Sequence, residues 1–275
     1  MTLEHIIQKL DKLEKEEGKL PELMQFYRRI MQIQAGVGSQ LEKPSPGLTR
    51  ETATERLGQG KPLLQAPEFT FDWTLFQNTL REVTDVFSEF SHFFDLTPEV
   101  FKESTPEQLV SRDSIEAWYV GEDLPPTEAI SQNIIRELIH AAVRPFLMNY
   151  AETLIGFVEQ EAWRRNYCPI CGGNSDFAYL EPENGARWLL CSRCDTKWLF
   201  QRLQCPYCQN QDQNGLSYYA DDDAVYRLYV CEKCKHYLKT IDLRKARSET
   251  NVSLERLLTY ELDAQAREYG YLPIG

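Results

Sequence analysis

Cysteine is absent from most of this sequence. All eight cysteines of the 275-residue chain lie between residues 168 and 234. Long apolar runs are absent as well, because charged residues interrupt even the most apolar stretch, residues 130–158, and we expect no membrane insertion. The first residues lack the basic region of a secretory signal, so we expect a cytoplasmic protein. In a reducing compartment, clustered cysteines favour metal binding over disulfides.

Positive charge is also scarce. The chain has 30 Lys and Arg against 42 Asp and Glu, for a net charge of -12. This balance argues against nucleic acid as a partner. Common enzyme motifs are missing: there is no glycine-rich phosphate loop, no G-x-S-x-G and no H-E-x-x-H. We therefore expect the protein not to be an enzyme.

The eight cysteines form four C-x-x-C pairs. Two thiolates separated by two residues can reach one metal ion from a tight turn, and two such turns complete a tetrahedron. The region repeats, since C-P-x-C opens each half. An interleaved pairing, four disulfides and four redox dithiols are the alternatives to two sequential sites. The predicted first site is Cys168, Cys171, Cys191 and Cys194, and the predicted second is Cys205, Cys208, Cys231 and Cys234.

The identity of the metal has two solutions, because zinc and iron both accept four thiolates in a tetrahedron. Zinc would be structural, whereas iron would form a one-electron centre like that of rubredoxin. Gly172 after the first pair is typical of a rubredoxin knuckle, in which backbone N–H groups turn toward sulfur. The other pairs lack that glycine and continue with Asp195, Gln209 and Lys235. His236 is a further candidate ligand, although a role beside the site is favoured.

The first 165 residues follow a helical pattern. Gly18 is expected to end a first helix and Pro21 to begin a second. Residues 36–67, rich in Gly and Pro, indicate a long connection, and a further helix is expected to open at Phe71-Asp72-Trp73.

Short β-like runs lie between the cysteine pairs, and a closing helix is expected from about Ser253 to Tyr269. The predicted fold class is α+β: an all-helical N-terminal domain, two tandem rubredoxin-like or zinc-ribbon metal-binding units and a C-terminal helix. The predicted domains are 1–165 (helical), 166–200 (first ribbon), 201–247 (second ribbon) and 248–275 (closing helix and tail).

The cysteine region resembles the FdhE family of formate dehydrogenase accessory proteins. The resemblance rests on C-P-I-C-G at 168–172, G-A-R-W-L-L-C-S-R-C at 185–194, C-E-K-C-K-H-Y-L-K-T at 231–240 and the closing stretch 262–271. Over the helical half it rests mainly on order and length. It implies a non-catalytic cytoplasmic protein required for active formate dehydrogenase. It also implies iron on all eight cysteines, with zinc as the alternative, and contact with the catalytic subunit of the dehydrogenase as protein partner.

The docking surface is expected on the ribbons between the two sites. Trp188, Trp198 and Tyr207 are candidate anchors there, with core packing as the alternative for each. The main rival function is a structural zinc-ribbon scaffold for other protein–protein contacts. A nucleic-acid-binding zinc ribbon and a dithiol oxidoreductase using Cys205 and Cys208 are less favoured.

Overall fold

A computed structural model describes residues 3–102, 105–126, 130–246 and 250–274. The chain divides into two compact units. The first consists of Met1–Pro44 and Gln65–Asn149, and the second of Ser45–Leu64 and Tyr150–Gly275. Within the described residues, no helix is both long and apolar enough to cross a membrane.

The helices and strands of the described residues are as follows. The helices are α1 (Leu3–Glu17), α2 (Glu22–Gly38), α3 (Arg50–Gly58), α4 (Trp73–Glu89), α5 (Pro98–Lys102), α6 (Pro106–Leu109), α7 (Arg112–Val120), α8 (Gln132–Leu154), α9 (Val252–Leu258) and α10 (Tyr260–Glu268). The strands are β1 (Ser175–Leu180), β2 (Arg187–Cys191), β3 (Lys197–Phe200), β4 (Leu216–Ala220), β5 (Tyr226–Cys231) and β6 (Tyr237–Asp242). The predicted α+β class, helical first and sheet-containing afterwards, is confirmed.

Local sequence signals set several helix ends of the first unit. Gly18 follows α1 with a φ of 87°, and its amide donates to the carbonyl of Glu14 at 2.9 Å. Pro21 directly precedes α2. The side chain of Asp72 accepts hydrogen bonds from the first amides of α4, which therefore begins at Trp73. These predicted ends are confirmed.

The core of the first unit is built from aromatic rings. Phe26 of α2 meets the rings of Phe87 of α4 and of Phe90, the residue after α4, edge-on at centroid distances of 5.3 and 5.7 Å. Phe87 stacks on Phe94 at 4.7 Å. Such pairs add to the stabilisation from burying the rings.

The Gly- and Pro-rich connection contains a helix that the sequence pattern did not predict. The hydroxyl of Thr49 accepts a hydrogen bond from the amide of Thr52 at 3.2 Å and so caps the start of α3. Only Ala53 of this helix is buried. The helix was missed because it has almost no apolar face, the signal on which helix prediction depends.

The six strands form one sheet in the order β3-β2-β1-β6-β5-β4. Each predicted ribbon contributes three antiparallel strands. The ribbons join through β1 and β6, which pair in parallel from Phe177 opposite Lys239 to Leu180 opposite Asp242. This pairing satisfies one edge of each ribbon, so only β3 and β4 remain as edges of the sheet.

The closing helix is present as two helices that cover one face of this sheet. Their side chains complete the apolar clusters there, with Ala266 on Leu228 and Val230 and with Val252 on Ile241. The break falls at Thr259, whose hydroxyl donates back to the carbonyl of Glu255 at 2.7 Å.

A buried lysine holds the break in place. Lys239 of β6 reaches it from the sheet, and its ammonium bonds to the carbonyl of Arg256 at 3.0 Å and to the carboxylate of Asp263 at 2.7 Å. The sequence predicted one helix because the apolar face runs on through Thr259. The break there depends on the contact with Lys239, which hydrophobic periodicity does not reveal.

The domain boundaries at 165/166, 200/201 and 247/248 stay a prediction, and the last of them lies outside the described residues. The long connection does not stand apart, since Ser45–Leu64 belongs to the same compact unit as the sheet. The amides of Leu63 and Leu64 donate to the carbonyls of Pro169 and Ile170, both at 2.9 Å. The connection thus braces the first cysteine turn.

Candidate metal centres

The thiols of the first predicted site converge at one end of the first ribbon. Cys168 and Cys171 lie in the turn before β1, Cys191 ends β2, and Cys194 lies in the turn before β3. Sulfur–sulfur distances are 3.6 Å between Cys168 and Cys194, and 3.5 Å from Cys171 to both Cys191 and Cys194. All four side chains are buried.

The thiols of the second predicted site converge in the same way on the second ribbon. Cys205 and Cys208 precede β4, Cys231 ends β5, and Cys234 precedes β6. The sulfurs of Cys205 and Cys234 are 3.7 Å apart, and those of Cys208 and Cys231 are 3.6 Å apart. In both groups all four sulfurs lie within 4.8 Å of one another. The structure therefore brings together the sequential sets of four, not the interleaved ones.

Both groups fit a tetrahedral metal ion. With a metal–sulfur bond of about 2.3 Å, the edges of the tetrahedron are about 3.8 Å long. The measured separations of 3.5–3.7 Å are close to that value. Because four thiolates complete the coordination shell, such a site leaves no position for a reactive water. Each group can hold one ion, and neither is suited to hydrolysis.

All four cysteine turns share one backbone design. In each, the amide of the first cysteine donates to the carbonyl five residues later: Cys168 to Gly173, Cys191 to Thr196, Cys205 to Asn210 and Cys231 to His236, at 2.8–3.1 Å. The residue after each second cysteine is left-handed, with φ of 72° at Gly172, 58° at Asp195, 59° at Gln209 and 58° at Lys235. The knuckle geometry is thus present even where glycine is absent. At Asp195, Gln209 and Lys235 the hydrogen bond across each turn stabilises the left-handed backbone.

Burial sets the acidity of the thiols. It raises the pKa of Cys168 and of Cys205 well above the ordinary range, and that of Cys234 to about 11. Burial also opposes ionisation of Cys231, but N–H groups of Cys234 and Lys233 outweigh it and hold the pKa of Cys231 below its ordinary value. A bound cation is what these buried thiols require to ionise together.

One charged residue of α9, Arg256, supports the first site. The side chain of Arg256 is 10% exposed, and its guanidinium donates to the carboxylate of Asp195 at 2.9 Å and contacts that of Asp176 at 3.4 Å. It also reaches the carbonyl of Cys191 at 3.4 Å. Asp195 is the left-handed residue of a cysteine turn, so this network ties the closing helix to the site. No sequence pattern predicts this network, because 61 residues separate Arg256 from Asp195.

The candidate anchors are placed differently from the prediction. Trp198 is fully buried and its indole N–H donates to the carbonyl of Arg165 at 2.9 Å, so an anchoring role for it is wrong. The hydroxyl of Tyr207 is within hydrogen-bond distance of the carbonyls of Ser175 and Tyr237, which places it inside the fold. Trp188 is half-buried and stacks on Tyr179. Core packing explains these rings better than docking.

His236 lies beside the second site and outside its group of thiols. Its Nδ1 is 2.8 Å from the carbonyl of Cys234, and the ring packs near Tyr207 at 5.6 Å. The histidine thus braces a cysteine turn.

A cluster of arginines beside the second site was missed by sequence reasoning. Arg187 is only 3% exposed, and its guanidinium lies over the ring of Tyr229 at 4.5 Å. Arg227 pairs with the buried carboxylate of Asp242 at 2.6 Å. The one sequence signal for this cluster was the position of Arg187 in the otherwise apolar run R-W-L-L. Side chains alternate along a strand, so Arg187 points to the face of the sheet that α9 and α10 do not cover.

The two sites differ in accessibility, and this predicts an order of metal release. Cys208 and Cys234 of the second site are partly exposed, whereas the first site is buried throughout. With both sites loaded, rising chelator concentration is expected to remove one equivalent of metal well before the other, as measured by elemental analysis of the desalted protein. The variant Cys205→Ser/Cys208→Ser should lack the early step. Simultaneous loss of both equivalents would contradict the assignment.

The chain is similar to known proteins, both in the cysteine region and beyond it. The sequence model of the FdhE central domain matches residues 167–202. A protein FdhE homolog of Aquifex aeolicus is 28% identical over 268 residues, covering 93% of this chain and 88% of the relative. An FdhE homolog of Shewanella sp. is 26% identical over 62% of this chain, which spans 54% of that relative.

The fold is shared as well. The crystal structure of the FdhE protein from Pseudomonas aeruginosa matches with a TM-score of 0.59 and 22% sequence identity, covering 89% of this chain and 84% of that one. At this level of identity the match shows the fold alone. The sequence matches and the shared fold together confirm, over nearly the whole chain, the FdhE family resemblance that the cysteine motifs predicted.

Proposed function

We propose that the protein is a non-catalytic, cytoplasmic maturation factor for formate dehydrogenase that binds the catalytic subunit of that enzyme through a metal-organised surface. The observation that carries the proposal is the convergence of all eight thiols into two closed groups on one sheet. Closed tetrahedral sites are suited to holding a surface together or to passing electrons, and not to activating water. We take formate dehydrogenase as the client because the relatives carry the FdhE name.

The metal is proposed to be iron in both sites, as the family resemblance implies. Bound iron would supply one-electron transfer to or from the client. Support comes from the knuckles, where the amides of Ile170 and Tyr207 lie 3.4 Å from the sulfurs of Cys168 and Cys205 and stabilise negative charge there. The proposed ligands are Cys168, Cys171, Cys191 and Cys194 in one site and Cys205, Cys208, Cys231 and Cys234 in the other.

A structural zinc-ribbon scaffold is the second candidate. The observation that favours it is the burial of all four thiols in the first site, which suits a metal that never exchanges. Elemental analysis after anaerobic purification separates the two. Zinc without iron would remove electron transfer and leave a scaffold.

The test is an anaerobic affinity pull-down from the native host with identification of the retained proteins by mass spectrometry. Wild type is expected to recover a formate dehydrogenase catalytic subunit. The variant Cys205→Ser/Cys208→Ser should recover it at least about tenfold less, because the second ribbon loses its metal. The matched control is Asp222→Asn in the exposed β4–β5 turn, which should behave as wild type.

A failed pull-down would contradict the proposed function. If folded and metal-loaded wild type retains no oxidoreductase subunit, maturation of formate dehydrogenase loses its support and the scaffold takes its place.

A further inference from the structure

A cavity of about 560 Å³ opens beside the second metal site. Apolar side chains form much of its wall, among them Leu203, Pro206 and Leu238. Two of its lining residues are arginines, Arg187 and Arg202, and none is an Asp or Glu. In a chain whose net charge is -12, two arginines without a lining carboxylate give this cavity a local positive charge that favours an anionic group.

The buried arginine of this cavity has one unsatisfied nitrogen, although the side chain of Tyr229 also interacts with Arg187 and with Arg202. One terminal nitrogen of Arg187 donates to the carbonyl of Gln204 at 3.1 Å. The Nε of Arg187 is buried without a hydrogen-bond partner among the described residues. No carboxylate of the described residues forms an ion pair with Arg187 or Arg202, whereas Arg227 and Arg244 both pair with Asp242. Because burying an unsatisfied cationic donor is costly, the site favours an incoming acceptor.

The cavity borders a free edge of the sheet. β4 pairs with β5 on one side and ends the strand order on the other. The bonds from the amide of Asp221 to Tyr226 and from the amide of Glu232 to Gly215 fix the alternation of the β4–β5 ladder. The N–H and C=O groups of Leu216, Tyr218 and Ala220 therefore point away from β5.

The side chains at this edge contribute to the same cavity. Leu216 and Tyr218 of β4 line it, and Tyr218 is 50% exposed. A peptide that pairs with β4 thus brings alternate side chains toward the cavity.

We propose that this cavity and the free edge of β4 hold an extended acidic segment of the client. The segment pairs along β4, and the carboxylate of one Asp or Glu side chain enters the cavity against Arg187 and Arg202. The inference rests on the proposed function, since it names how the catalytic subunit is recognised. A polypeptide is favoured over a free acid because the open backbone edge adjoins the anion site.

A structural role for the arginines is the competing explanation. Cys205 and Cys231 also line the cavity, and a divalent ion on four thiolates carries a formal negative charge. If the two guanidiniums only offset that charge, removing one should weaken the metal site and leave client binding unchanged in the loaded protein. The experiment therefore measures both properties.

The test is the affinity of the metal-loaded protein for the purified formate dehydrogenase catalytic subunit, by titration calorimetry. Arg202→Gln removes the partly exposed guanidinium, and Ala220→Pro blocks the edge of β4, where proline is tolerated. Each is expected to weaken binding at least about tenfold, the effect of losing a charge-assisted or backbone hydrogen bond. Arg202→Lys should restore part of the loss. The control Arg267→Gln, at an exposed position of α10, should bind as wild type.

Each result has one reading. No binding by wild type overturns the proposed function itself. Wild-type affinity in Arg202→Gln, or loss of its second metal equivalent, overturns the binding of an acidic side chain in the cavity. An effect of Ala220→Pro alone also overturns it, since the edge would then bind without an acidic anchor. If benzoate, used as a free-acid probe, binds the cavity without competing with the client, the site serves a small organic acid and the proposal fails.

Discussion

Replacing both Cys168 and Cys171 with serine is expected to unfold the sheet-containing unit. The substitution keeps the size of both side chains and removes two of the four thiols that lie within 4.8 Å of one another. A structural metal site contributes on the order of 10 kcal/mol, comparable with the whole stability of a typical domain. Wild type should bind two equivalents of metal, whereas the variant should lose the strand signal in circular dichroism and be degraded by protease.

The position of the first site explains why its loss should spread. The turn at Cys168–Cys171 holds the connection through Leu63 and Leu64, and Arg256 joins the turn at Asp195 to the closing helix. Glu183→Gln, in the exposed turn between β1 and β2, is the matched control and should retain both metals and the fold. A cysteine variant that keeps its cooperative unfolding transition would show that the ribbon folds without metal and would contradict a structural role for the first site.

Asp242→Asn is expected to destabilise the protein by about 3 kcal/mol, because it leaves Arg227 as a buried cation without its counter-charge. Asp242 is fully buried, Arg227 is 6% exposed, and their charged groups are 2.6 Å apart. Arg244 bonds to the same carboxylate through Nε at 2.7 Å, but its partial exposure reduces its share of the loss. Urea unfolding at pH 7 measures the effect. Asp223→Asn, exposed in the β4–β5 turn, should change stability little.

The same carboxylate gives a defined pH dependence. The hydrogen bond from Arg244 is the main reason that the pKa of Asp242 lies below its ordinary value, and Arg227 adds to it. A group with a lowered pKa in the folded state stabilises the fold above its unfolded pKa, about 3.9 for Asp, and loses that contribution as the pH falls. The stability difference between wild type and Asp242→Asn should therefore be full at pH 7 and shrink below about pH 4. A constant difference across this range would rule out the ion pair as its cause.

Local signals in the sequence predicted much of the fold and of the candidate sites. The spacing of the cysteines predicted two sites of four thiols, and the repeat of C-P-x-C favoured the sequential sets that the structure brings together. Gly18, Pro21 and the stretch Phe71-Asp72-Trp73 predicted helix ends, since the signals that start and stop a helix involve only neighbouring residues. The missed helix α3 shows the converse: with one buried residue it carries no periodic signal.

Interactions between distant residues were outside the reach of the sequence. The parallel pairing of β1 with β6 joins two ribbons that each read as complete units, and it depends on strand edges rather than on side-chain pattern. The burial of Trp198 and the break at Thr259 depend on partners such as Arg165 and Lys239, which lie well apart in the chain. The same holds for Arg187 and Arg202, which reach one cavity only because the sheet and the segment before β4 fold together.

The sequence by itself determined the two cysteine groups, the helical first half and the order of the ribbons, because short-range spacing and turn chemistry specify each of these. Only the tertiary structure decided that the ribbons form one sheet, that all four turns adopt the knuckle geometry and that an arginine-lined cavity borders the second site. The physical reason is range. Each two-cysteine turn and each helix cap involves residues a few positions apart, whereas strand pairing and burial of charge are settled by whichever distant groups the chain brings into contact.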